Sequence, residues 1–142
     1  MWPAALLLAA SLAAEPRWVH AGSAAGVHWY TRARVGSEVN ELKVTALLDA
    51  TPDEAWVIAW KAAAPERDVA RPVAPGVVRL RVNEGEWRLE PREAGAKTFL
   101  TYRLLSAPGG SVPPFFVNRA NTLGVPQTIE SLRRAIEARR KR

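Results

Sequence analysis

From Glu41 to Leu48 the chain alternates residue by residue, with Leu42, Val44, Ala46 and Leu48 on one side and Glu41, Lys43, Thr45 and the terminal Leu47 on the other. A period of two requires an extended strand with one face buried. Just beyond it, Thr51-Pro52-Asp53-Glu54 forms a capping box. The Thr51 hydroxyl accepts from the Glu54 amide, the Glu54 carboxylate reaches back, and Pro52 takes the first helical position, where an N–H has no intrahelical partner anyway. Trp56, Ala59, Trp60 and Ala63 follow at helical spacing, an aromatic stripe that needs a surface to pack on. A half-buried strand that runs straight into an amphipathic helix confines the chain to architectures in which helices cover one face of a sheet.

The remaining segments fit that frame. Val27 to Ala33 carries the aromatic and β-branched residues of a strand, preceded by a mixed lead-in from Trp18 to Ala25 and followed by a Gly36-Ser37 turn. Residues 62 to 76 follow neither period and read as an irregular connection. Val78, Leu80 and Val82 alternate with Arg79 and Arg81, Asn83-Glu84-Gly85 reads as a turn, and Trp87 and Leu89 alternate again, which predicts an antiparallel hairpin. A further strand runs from Lys97 to Leu105 after a Gly95 turn and stops at Pro108-Gly109-Gly110. Past Pro113-Pro114 a helical period returns with Phe116, Ala120, Leu123, Ile129, Leu132 and Ile136; Gly124 and Pro126 predict a kink or short break within it. The order predicts an α+β fold in which a curved antiparallel sheet wraps a long C-terminal helix.

At 142 residues, 48% of them hydrophobic and 24% charged, the chain reads as one globular domain. A domain of this length buries roughly two-thirds of its unfolded surface and needs neither disulfide nor structural metal. With no cysteine and only His20 and His28, thiolate zinc sites, redox pairs and thiol nucleophiles are excluded. Neither histidine sits in a recognisable catalytic motif, and His28, between Val27 and Trp29, reads as a half-exposed strand residue. The formal charge of +6 is carried almost wholly by arginine, since only Lys43, Lys61, Lys97 and Lys141 are lysines. Its one cluster is C-terminal: Arg133, Arg134, Arg139, Arg140, Lys141 and Arg142 against Glu130 and Glu137. Such an end complements a helix dipole and can also meet phosphates or anionic headgroups. At the other terminus, residues 4 to 14 (AALLLAASLAA) form an apolar run too short to span a bilayer, with Ser11 and Ala13 placed as for cleavage. This predicts a signal peptide over 1–14, with the mature domain, 15–142, periplasmic or secreted.

The run Gly85-Glu86-Trp87-Arg88-Leu89-Glu90-Pro91, with Thr101-Tyr102-Arg103, Pro108-Gly109-Gly110-Ser111-Val112-Pro113 and Phe116-Val117-Asn118-Arg119, resembles bacterial START domains, the lipid-transfer branch of the helix-grip superfamily. Pro126-Gln127-Thr128-Ile129 and Leu132-Arg133 continue the resemblance, and Ala50-Thr51-Pro52-Asp53-Glu54-Ala55-Trp56 looks like the start of that family's first long helix. The resemblance covers most of residues 27 to 136. Members of that family have several more strands between the first helix and Trp87, so here it implies a shortened sheet of about five strands. Open edges tend to find partners, so weak self-association is expected.

The resemblance also implies a non-catalytic site for one lipid or sterol-like molecule between sheet and C-terminal helix, with no cofactor, no metal and no nucleic acid. Trp60, Trp87, Leu100, Tyr102, Phe116 and Ala120 are the candidate apolar lining, and Asn121 and Thr128 the candidate headgroup anchors. The same side chains would equally serve as plain core. Helix-grip relatives also include polyketide cyclases and aromatase-like proteins, although no acid and base pair stands out here. The basic C-terminus leaves a third reading, a surface module for anionic membranes.

Overall fold

A computed structural model describes residues 16–56, 75–76, 80–108 and 111–142. Strands β1 (Val19–Ala24), β2 (Val27–Arg34) and β3 (Ser37–Leu48) form a meander. Strand β5 (Lys97–Pro108) pairs with the free edge of β3, and β4 (Leu80–Arg92) pairs with β5. The five-stranded sheet therefore runs β1-β2-β3-β5-β4, antiparallel throughout. The expected α+β helix-grip architecture is present, with a long C-terminal helix, Pro114–Arg140, laid chiefly across β3 and β2.

The alternation in β3 sets the core. Leu42, Val44, Ala46 and Leu48 are all buried, and the register aligns them with their neighbours: Trp29, Val44, Tyr102 and Trp87 lie in one row, and Val27, Ala46, Leu100 and Leu89 in the next. The helix turns Val125, Ile129, Leu132 and Ile136 onto these rows. Each such side chain fully withdrawn from water contributes about 1.5–3 kcal/mol, so this seam is the main cohesion between helix and sheet. Thr98, fully buried, donates its hydroxyl to the Ala50 carbonyl at 2.8 Å, tying β5 to the corner where β3 gives way to the helical turn over residues 52–56. The capping box forms as expected, with the Thr51 amide on Glu54 Oε2 at 2.9 Å and the Glu54 amide on Thr51 Oγ1 at 3.3 Å.

Four expectations are corrected. The Trp18–Ala25 lead-in contains an edge strand, β1, which escapes pattern reading because it is exposed on nearly every residue and shows no alternation. The Asn83-Glu84-Gly85 turn does not exist, because β4 passes straight through it and pairs with β5 from Leu80 to Arg92. Gly85 is needed for a different reason: a Cβ there would lie 2.9 Å from the Arg103 carbonyl oxygen of the paired strand. The C-terminal helix runs without a break past Gly124, with Pro126 inside it. Its buried stripe is Val117, Val125, Ile129, Leu132 and Ile136, whereas Phe116 and Leu123 remain 61% and 57% exposed. Trp56 is 52% exposed; Ala59, Trp60 and Ala63, like the N-terminal apolar run, lie outside the described residues.

Candidate ligand-binding face

The helix does not cover the whole sheet. It rests on β3 and β2 and only lightly on β5, so the apolar face continues past it onto β5 and β4. There Trp87 and Tyr102, directly opposite in register, stack with ring centroids 4.1 Å apart and planes 19° from parallel. Both are only partly buried, as are Leu89 and Leu104 beside them. Burial pushes the Tyr102 hydroxyl above its usual range, so it stays protonated and can donate a hydrogen bond. Leu100, by contrast, is completely enclosed and belongs to the packed core.

Alternation puts Leu100, Tyr102, Leu104, Ser106 and Pro108 on one side of β5. Near the end of that row lies an open groove of about 340 Å³, lined by Ser106, Pro108, Val112, Phe116, Ala120 and Asn121 together with Val117. Three residues expected at the site, Phe116, Ala120 and Asn121, therefore meet at this groove. Trp87 and Tyr102 meet at the stack, and Thr128 is exposed further along the helix. Phe116 also touches Phe115 edge to face at 5.6 Å, and both rings are mostly in solvent.

The groove exists because the sheet opens. Pairing of β3 with β5 ends at Leu42–Leu104, yet both strands continue, β3 back to Ser37 and β5 on to Pro108. The helix start fills the gap. Asn118 Oδ1 accepts from the Asn40 amide at 2.8 Å while Asn118 Nδ2 donates to the Glu38 carbonyl at 3.3 Å. One side-chain amide thus makes the two bonds that a residue of a parallel strand would make around Val39. On the other side of the gap Asn121 Nδ2 donates to the Ser106 carbonyl at 3.3 Å. Asn118 stands in the family-like run Phe116–Arg119, but its task depends on where two strands part, which no local pattern encodes.

The opposite face of the sheet is electrostatic. Glu41, 4% exposed, accepts from Arg32 Nε at 2.6 Å and from Arg103 Nη2 at 2.7 Å. Burial alone would raise its carboxyl pKa, but these two hydrogen bonds and the charges behind them hold it below the ordinary 4.5. Trp18 lies over this cluster, with the Arg32 guanidinium and the Lys43 ammonium each 4.6 Å from its ring centroid. Burial and the neighbouring Arg103 and Arg32 push the Lys43 ammonium pKa down. His20 and His28 are on this side too, 6.1 Å apart. No group of three metal-ligating side chains occurs among the described residues.

Two of the C-terminal cations tie the helix to other elements of the fold, and Arg134 Nη2 donates to Ser131 Oγ of its own helix at 3.1 Å. Arg133 Nη1 donates to the Ala25 carbonyl and to Glu130, each at 2.7 Å, and Nη2 to the Leu47 carbonyl at 3.3 Å. Arg140 clasps Glu54 through two bonds of 3.1 and 3.0 Å. Arg134, Arg139, Lys141 and Arg142 face solvent. No described helix is long and apolar enough to cross a membrane.

Sheet, helix and the apolar face between them define a START-type helix-grip fold, which comparison with solved structures bears out. The fold is similar to a STAR-related lipid transfer protein from Xanthomonas axonopodis, with TM-score 0.66 and 20% identity over 84% of this chain and 98% of that one. Human STARD10 gives TM-score 0.55 and 14% identity over 84% of this chain and 72% of that one. In sequence, an uncharacterized protein of Pseudomonas aeruginosa is 35% identical over 68 residues, 48% of this chain and 33% of that protein, so the match spans about a third of the relative's length. No family model matches the chain.

Proposed function

We propose that this protein binds one lipid or comparably apolar molecule, without catalysis, between the exposed part of the sheet face and the start of the C-terminal helix. The observation that carries this reading is the half-covered Trp87–Tyr102 stack on the helix side of the sheet, on the same strand face as a groove of about 340 Å³ bordered by Phe116, Ala120 and Asn121. That volume falls in the range of small-molecule sites, and the lining is the expected mixture of apolar walls with a few polar groups. An acyl chain that leaves water there gains about 0.8 kcal/mol per methylene, so useful affinity needs few polar contacts. Support also comes from the shared fold, since one of the similar structures is described as a lipid transfer protein. Both histidines lie on the other face, away from the groove, which favours binding over acid–base chemistry. In this reading the chain is exported, the segment 1–14 is its signal peptide, and the exposed Arg134, Arg139, Lys141 and Arg142 provide transient contact with anionic membranes.

Titration with a fluorescent fatty-acyl probe tests the site. Ala120 is exposed at the groove, so Ala120→Trp fills the space without overpacking a core. Saturable uptake by the native chain, lost in Ala120→Trp at an unchanged melting temperature, is the expected result. Equal uptake by both proteins would place the ligand elsewhere.

A further inference from the structure

Strand β4 is a sheet edge among the described residues, and at 13 residues, Leu80–Arg92, it is long for one. An edge of that length presents a row of free backbone donors and acceptors. On the side away from the helix it carries Glu84, Glu86, Arg88, Glu90 and Arg92, with side chains 64, 45, 64, 42 and 48% exposed. Gly85, Trp87, Leu89 and Pro91 occupy the other side.

Two copies of one strand paired antiparallel about a two-fold axis place residue i opposite residue j with i + j constant, and facing residues point to the same side. Each register can therefore be checked for charge. Centred on Leu89, Arg88 meets Glu90 and Glu86 meets Arg92, each twice by symmetry, with no like pair. Centred on Trp87, Glu84 meets Glu90; centred on Arg88, Arg88 meets itself and Glu86 meets Glu90; centred on Glu90, Arg88 meets Arg92. Of the registers centred from Gly85 to Glu90 only that on Leu89 is free of repulsion, and it brings more opposite charges together than any other register along the strand, those centred nearer its ends pairing one such couple or none. It also sets Leu89 against Leu89 of the second copy and Trp87 against Pro91, keeping the apolar face apolar.

We propose that β4 is a self-pairing edge, through which two copies join antiparallel over residues 86–92 about Leu89, merging two five-stranded sheets into one. The occupant is a second copy of this chain because the edge is its own electrostatic complement. Opposite charges directly across a strand pair stabilise it and like charges destabilise it, so the charge row specifies both partner and register. The proposal does not rest on ligand binding: Trp87 belongs to both, but the ligand would meet its ring on the helix side of the sheet, whereas the edge pairs through backbone and through the charge row on the other side.

Sedimentation equilibrium over a concentration series in low salt, with thermal melting of every variant, is the test. The native chain should show a monomer–dimer equilibrium that weakens with added salt. Arg88→Glu/Arg92→Glu, which makes the row wholly acidic, should raise the dissociation constant about tenfold or more, as should Glu86→Arg/Glu90→Arg. An equimolar mixture of the two should restore the dimer. The register has its own readout, because the chain contains no cysteine. Under mild oxidation Leu89→Cys should link copy to copy, whereas Glu86→Cys, whose counterpart would lie about 20 Å away along the strands, should not. A monomer at every concentration, a dimer indifferent to both charge reversals, or cross-linking through Glu86→Cys in preference to Leu89→Cys would each overturn the proposal.

Discussion

Glu41 shows how one residue can hold an entire face of the sheet in place. It sits on β3 opposite Arg32 of β2, and Arg103 of β5 reaches it from the other flank, so a buried carboxylate joins three strands. Without it Arg32 and Arg103 lose the buried carboxylate they share, Arg103 keeping its longer 3.4 Å contact with the exposed Glu86, so Glu41→Ala should destabilise the fold by about 3–5 kcal/mol, read from urea unfolding. Its folded pKa lies below the ordinary 4.5, so its contribution is fully present above that value and is lost as pH falls through the folded value. Glu41→Gln should therefore lower stability at pH 7 and flatten the acid limb of the stability–pH curve. Ala25 makes the opposite case. It holds φ 49° beside Gly26 at φ 72°, a two-residue turn with both residues left-handed, where Asn-Gly is the favoured pair. Ala25→Asn should stabilise by about 0.5–1 kcal/mol, seen as a rise in melting temperature.

At the scale of elements, the helix is attached at both ends by contacts that no local pattern announces. At its start Asn118 substitutes for a missing strand neighbour; Asn118→Ala leaves the Asn40 amide and Glu38 carbonyl unpaired and should cost about 1–3 kcal/mol, measured by chemical denaturation. At its end Arg140 and the Thr51 amide hold the Glu54 carboxyl pKa down to about 2. Arg140→Ala should move that titration upward toward the normal carboxylate range, observable by NMR of the Glu54 side chain. The capping box, the β3 alternation and the C-terminal helical period were legible because each is a short-range pattern with its own chemistry. What misled was also local. Asn83-Glu84-Gly85 has turn composition, but Gly85 serves a close backbone approach instead, and β1 has no buried face to alternate against. Phe116 and Leu123 fit the helical period yet face solvent, because the helix needs only its Val125–Ile136 seam to grip the sheet.

Across the whole molecule, the part of the sheet face that the C-terminal helix leaves uncovered is the decisive feature. The five strands among the described residues seat the C-terminal helix and carry an apolar face that extends beyond it. Family-like residues pointed to that face from sequence, but grouping them needed the register: Trp87 meets Tyr102 because β4 runs unbroken beside β5, and Phe116, Ala120 and Asn121 meet at the groove because the sheet opens where the helix enters. Leu100, in the same family-like region, went to the core, a distinction that depends on where the helix lies. Uptake of a single apolar ligand by this face is the function proposed for the chain. Native mass spectrometry of the intact chain after incubation with a cellular lipid extract tests it most directly. A retained adduct of one lipid per chain, abolished by Ala120→Trp, is the expected result; a spectrum of ligand-free chain at every lipid class and concentration offered would rule such a site out.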